Sequence, residues 1–147
     1  MSFSNDLEEI MTAKQDGQCH CGAAAFSFAA QPDLTFYCHC TDCQKTTGSP
    51  FSVELMLPDD TFKTNGKLST YTVTGDSGKA VHRKSCAVCG SGLFLECDAD
   101  PGFVFVKAGA LNDASWVKPE MHIFTAAKQP WVNIADDLPQ FEAMPPD

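Results

Sequence analysis

The sequence is short of positive charge. It has 10 Lys and Arg against 19 Asp and Glu, a net charge of −9. Nucleic acid and anionic bilayer surfaces are bound through Lys and Arg, so neither is an expected partner. Long apolar runs are also missing. The longest are Ala23-Ala24-Ala25-Phe26 and Gly102 to Val106, well below the roughly 18–20 residues that a membrane span takes. The opening residues, MSFSNDLEEI, carry acids where a secretory leader has basic residues and an apolar core, so no signal peptide is expected. There is no useful internal repeat, no low-complexity run and no clear linker. Much of the acid sits at the two ends, where it favours solubility. An anionic small ligand would therefore need a local island of positive charge.

What is present is enough for one domain with a real core: 147 residues, 44% of them hydrophobic. Eight cysteines accompany this. Without a secretion signal the expected compartment is the cytoplasm, where thiols stay reduced and clustered cysteines more often bind metal than pair.

The texture from Gly17 onward is β. Ala23–Phe28 and Leu34–Tyr37 read as strands separated by Gln31-Pro32-Asp33, and Thr41–Thr46 as one helical turn. Phe51–Leu57, Lys79–Lys84, Gly92–Cys97, Phe103–Lys107, Gly109–Leu111 and His122–Thr125 are further strands. Asn65-Gly66 is the strongest hairpin signal and is expected to join Thr61–Thr64 to Leu68–Thr74. Trp116–Pro119 reads as a helical turn or an extended edge. Ahead of this, residues 1–16 read as an arm with weak helical character over Asp6–Lys14. Many short strands with turns between them indicate a mainly β fold.

The cysteines fall into three groups and one outlier. Cys86-x-x-Cys89-Gly90 is a knuckle: the turn brings two thiolates to one side, and Gly90 permits the left-handed backbone behind them. Cys19-x-Cys21-Gly22 puts two sulfurs on one face of an extended segment, because side chains alternate. The two pairs together make a closed four-thiolate site of structural type. Two redox disulfides, or unrelated buried thiols, are the alternative. Cys38-His39-Cys40-x-x-Cys43 has no second pair to meet, and three thiolates on zinc leave one position free. Three other outcomes stay open: His39 as fourth ligand, although neighbouring side chains in an extended segment point opposite ways; Cys97 closing a structural site; or a disulfide or mixed disulfide among the three.

The order Gly17-x-Cys19-x-Cys21-Gly22, Cys38-His39-Cys40-x-x-Cys43, Gly48-Ser49, Cys86-x-x-Cys89-Gly90, then Pro119-Glu120-x-His122-Ile123, Lys128-x-Pro130-Trp131 and Leu138-Pro139 resembles the glutathione-dependent formaldehyde-activating (GFA, CENP-V/GFA) family. Cys97 has no counterpart in that pattern. The resemblance implies a β-tent fold of small antiparallel sheets organised around zinc, with residues 17–147 as a single GFA-type zinc domain. It implies two zinc ions per chain, a structural one on Cys19, Cys21, Cys86 and Cys89 and a catalytic one on Cys38, Cys40 and Cys43 with an open position. It implies carbon–sulfur lyase or synthase chemistry that joins glutathione to formaldehyde to give S-hydroxymethylglutathione. A non-catalytic zinc-stabilised binding module, or a member acting on another thiol or aldehyde, is the alternative.

For such chemistry, His39 and His122 are candidates to protonate the new alkoxide, since imidazole titrates near neutrality. The two carboxylates of glutathione need donors. Gln44, Lys45, Thr47 and Ser49 follow the cluster directly, and Lys128 precedes Pro130-Trp131. Phe51 and Trp131 are candidate walls. Cys97 reads as a buried or half-buried free thiol.

Overall fold

The computed structural model describes residues 13–146. The helical character considered over Asp6–Lys14 lies, apart from its last two residues, outside them. Among the described residues, ten strands and one α-helix follow in chain order. They are β1 (Gln15–Gln18), β2 (Ala25–Phe28), β3 (Leu34–Cys38), α1 (Thr41–Thr47), β4 (Ser52–Pro58), β5 (Lys63–Asn65), β6 (Leu68–Thr74), β7 (Ala80–Cys86), β8 (Gly92–Cys97), β9 (Phe103–Lys107) and β10 (Met121–Ile123). The fold is mainly β, as the close spacing of short strands leads one to expect.

The strands form a three-stranded sheet, β1-β2-β5, and a seven-stranded sheet, β10-β3-β4-β9-β8-β7-β6. All pairs are antiparallel except β10 with β3. The expected hairpin at Asn65-Gly66 does not form. β5 pairs with β2 in the small sheet, whereas β6 pairs with β7 in the large one. Gly66, at φ 94°, is the point where the chain leaves one sheet for the other. Asn-Gly favours a tight reversal, but the tertiary pairing decides what lies on either side of it. Two further expectations are corrected. Gly109–Leu111 is not a strand but the end of a 3-10 turn over Ala108–Ala110, and the strand at His122 ends at Ile123.

The large sheet has two unlike faces, because directly opposed residues of neighbouring strands share a side. Leu55, Leu57, Phe94, Val104 and Val106 face the small sheet and pack with Phe26 and Phe28 in the main core. Leu55, Leu57 and Val106 are fully buried; truncating such a side chain to Ala costs about 2–5 kcal/mol. The other face holds Phe36, Leu95, Phe105 and Ile123, with Cys38 and Cys43 in the same cluster. The register Cys38↔Ser52, Glu54↔Lys107, Leu95↔Phe105 and Arg83↔Leu95 brings these residues onto that same face. α1 lies over it.

Candidate metal centres and adjoining cleft

The knuckles meet at the edge where the sheets join. The sulfurs of Cys19, Cys21, Cys86 and Cys89 all lie within 4.8 Å of one another. Cys19 and Cys21 Sγ are 3.6 Å apart, and Cys21 and Cys86 Sγ 3.8 Å. A tetrahedron with Zn–S bonds of about 2.3 Å has S···S edges of about 3.8 Å, so the donor set fits a thiolate-bound metal. Backbone amides point at the sulfurs: Ala24 donates to Cys19, Ala23 to Cys21, and Val88 and Cys89 to Cys86. Gly22 (φ 83°) and Gly90 (φ 79°) close the two turns in the left-handed region, where a Cβ is strained. Ser91 ties the knuckles together, since its hydroxyl accepts from the His20 amide and lies 3.2 Å from Cys89 Sγ. That Ser91 contact, with the Ser91 amide, draws the Cys89 thiol down to about 5.

The second group is built by β3 and α1. Cys38 ends β3, Cys40 is the N-cap of α1 and Cys43 lies in its first turn, so the loop-to-helix transition itself folds three sulfurs to within 4.8 Å of one another. The Cys40 sulfur takes the capping role of a Ser or Asp, accepting from the Cys43 amide at 3.3 Å. Gly48, at φ 69°, ends the helix with a bond from its amide to the Gln44 carbonyl. Contacts from the Cys38 and Cys43 thiols lower Cys40 to about 3, while contacts with Cys40 and Cys43, and burial, push Cys38 far up. One sulfur ionises readily and its neighbours resist, so ionising all three needs a cation among them. Both cysteine groups could thus hold a metal ion. All eight cysteines are free thiols.

No fourth thiol, imidazole or carboxylate joins the three sulfurs among the described residues. Cys97 packs nearby without entering the group, and burial pushes its thiol up to about 12. His39 turns away: its Nε2 is 2.9 Å from His122 Nδ1, and His122 Nε2 is 3.0 Å from Asp136. His39 is 1% exposed and its Nδ1 has no partner. His122 stacks on Tyr37. The two candidate imidazoles therefore form one buried chain behind the cluster.

The residues after the cluster scatter. Gln44 donates to the His39 and Ala127 carbonyls and accepts from Gln129, so it fastens α1 to the loop after β10. Lys45 is exposed in the last turn of α1. Lys128 donates to the Gln129 and Val132 carbonyls, and Trp131 is exposed. Thr47, Ser49 and Phe51 line a cleft of about 1020 Å³. Ser91 of the second knuckle also reaches it.

The sequence singled out neither of two other features of this face. Glu54, 3% exposed, lies 3.7 Å from Cys43 Sγ and accepts from Lys107 Nζ at 2.6 Å and from the Ser52 hydroxyl. Burial raises its pKa, against the pull of Lys107. The only hint was an acid inside the alternating strand SVELMLP. Lys107 and Ser52 also line the cleft, whose charged side chains are Lys107, Arg83 and Lys84, with no carboxylate among its lining residues. Lys107 is balanced by Glu54 and Lys84 stands on the opposite face of β7, so in a chain of net charge −9 the positive charge this face offers an anionic ligand is Arg83.

The class that emerges is a mainly β domain with two converging cysteine groups that could each hold a metal, and a cleft that reaches Ser52, opposite Cys38, and Thr46, one turn after Cys43. The family described as glutathione-dependent formaldehyde-activating enzyme matches residues 14–127, and the chain belongs to it. A Talaromyces marneffei protein, provisionally named glutathione-dependent formaldehyde-activating enzyme, is 26% identical over 138 residues, covering 86% of this chain and 73% of that protein. A Penicillium rubens protein with the same provisional name is 25% identical over 115 residues, and the match covers 75% of this chain but only 60% of the relative. A crystal structure of a Rhodobacter sphaeroides protein shares the fold, with a TM-score of 0.54 at 17% identity, covering 85% of this chain and 98% of that one. No helix among the described residues is long and apolar enough to cross a membrane.

Proposed function

We propose that the protein joins glutathione to formaldehyde, giving S-hydroxymethylglutathione, as a carbon–sulfur lyase acting in the synthetic direction. On this reading the metal is zinc, two per chain: a closed structural ion on Cys19, Cys21, Cys86 and Cys89, and an open one on Cys38, Cys40 and Cys43. The observation that carries it is the convergence of three sulfurs with no fourth protein ligand among the described residues. Zinc held there supplies a Lewis acid that makes a thiol sulfur more nucleophilic or polarises an aldehyde oxygen.

In the reaction the thiol sulfur bonds to the carbonyl carbon, the C=O π pair moves to oxygen, and that oxygen takes up the proton lost by the thiol. The chain's task is chiefly to gather two small reactants. Phe51, Tyr37 and Ser49 wall the cleft. Lys107 is a fixed part of the cleft wall, held by Glu54 and Ser52. His39, fixed by His122, keeps the Cys38–Cys40 link in one geometry. Gln44 acts by holding α1, and Lys45 stands at the helix end as a distant positive charge. Eight free thiols fit a reducing compartment such as the cytoplasm.

A non-catalytic zinc-stabilised module is favoured by one observation: Cys38 and Cys43 are only 4% and 3% exposed, so Cys40 alone is partly open. Native mass spectrometry with and without glutathione separates the two. Two zinc ions with a glutathione adduct, or loss of one zinc on adding glutathione, supports the open site. Zinc that ignores glutathione overturns it in favour of the module.

A further inference from the structure

We infer that Arg83 is the anchor for a carboxylate of the thiol substrate, and so selects anionic thiols over neutral ones. This rests on the proposed thiol–aldehyde reading of the adjoining cluster. The cleft, about 1020 Å³, has room for a tripeptide thiol beside a small aldehyde. Its charged lining residues are all basic. One of the three cations is paired with a carboxylate, and another stands on the opposite face of the sheet from Arg83. Lys107 Nζ is bonded to Glu54 at 2.6 Å and to Ser52 at 2.8 Å. Lys84 Nζ donates to Thr70 Oγ1 at 3.0 Å.

Arg83 is different. A guanidinium has five N–H donors, and the contact it makes among the described residues is from Nη1 to Thr46 Oγ1 at 3.3 Å. Its Nε–H is shut off from solvent with no partner. The guanidinium lies near enough to the buried Glu54 to pull its pKa down, yet no hydrogen bond or ion pair joins the two among the described residues; the remaining Nη donors of Arg83 form a planar fork that matches a carboxylate with two parallel bonds.

Its position fits the role. Thr46 lies one helical turn after Cys43, on the same side of α1. The Thr46 contact therefore holds the guanidinium beside the three-sulfur group, within the span of a tripeptide whose sulfur reaches that group. An anchor placed there binds the charged end of the thiol in substrate and transition state alike, so its loss raises KM more than it lowers kcat.

The test loads the protein with cobalt in place of zinc and titrates wild type and Arg83→Gln with glutathione and with the neutral thiol 2-mercaptoethanol. Binding of each thiol is measured by calorimetry, and coordination by the cobalt absorption bands. The anchor predicts that Arg83→Gln weakens glutathione about tenfold or more and leaves 2-mercaptoethanol unchanged. Thr46→Val, which frees the guanidinium without removing it, should fall between. Equal weakening of both thiols makes Arg83 a strap for α1 and overturns the anchor, as does an unchanged glutathione affinity; cobalt bands that still respond to thiol leave the proposed function standing. Glutathione that binds wild type, is lost in Arg83→Gln and never moves the bands keeps the anchor and overturns the metal–thiol reading. No glutathione binding to wild type overturns both.

Discussion

Lys107 sets its ammonium 2.6 Å from the Glu54 carboxylate, with side chains only 13% and 4% exposed. Breaking a buried pair leaves a bare charge in low dielectric. Lys107→Met should therefore cost about 3–5 kcal/mol of stability, whereas Glu54→Gln with Lys107→Met should recover most of that loss. Urea unfolding of the two single variants and the double variant gives the coupling. Additive losses would show that Lys107 and Glu54 are not coupled.

The two cysteine groups should separate on mutation. If the four-sulfur group holds zinc as proposed, Cys86→Ser removes a ligand that joins β7 to the segment after β1, and structural zinc sites contribute apparent free energies of about 10–16 kcal/mol. That variant should lose one metal and its cooperative thermal transition. Cys40→Ser should lose the other metal and keep the fold. Metal analysis paired with circular dichroism reads both, and a Cys86→Ser protein that melts like wild type would rule out a structural role for the four-sulfur site.

Asp136 is held below its ordinary value of 3.8, chiefly by its hydrogen bond to His122. A carboxyl depressed in the folded state contributes stability that is present above its unfolded pKa and lost as pH falls through the lower folded one. Wild type should lose stability relative to Asp136→Asn as pH falls below about 4. Thermal melts of the two proteins across that range should converge toward acid; parallel curves would mean that the His122 contact does not hold in solution.

Gly66 should not tolerate a side chain. Its φ of 94° is left-handed, and a Cβ there would run into the Ala23 carbonyl oxygen. Gly66→Ala should destabilise by more than about 1 kcal/mol, and the loss should appear as early hydrogen exchange in β5 and β2. Unchanged protection of those amides would contradict the close approach.

The legible parts of this fold were those with local causes. Knuckle spacing, the glycines behind Cys21 and Cys89, and the alternation in Phe51–Leu57 and Phe103–Lys107 all act within a few residues. β1, Gln15–Gln18, was not legible because QDGQ has no apolar alternation and takes its shape from pairing with β2. Asn65-Gly66 misled because its neighbours belong to different sheets. Glu54, Arg83 and Asp136 reach the site through cross-strand register and a late loop, and no short window of sequence contains those relationships. His39 illustrates both cases: alternation predicted that it would face away from the sulfurs, but its partner His122 lies 83 residues on.

The central claim is that the Cys38–Cys40–Cys43 group accelerates thiol–aldehyde addition. Exchange between formaldehyde and S-hydroxymethylglutathione can be followed by two-dimensional exchange NMR at fixed pH, with zinc-loaded wild type, Cys40→Ser and no protein. The account predicts an exchange rate that rises in proportion to wild-type concentration and falls to the protein-free rate in Cys40→Ser. A wild-type rate equal to the protein-free rate would contradict it.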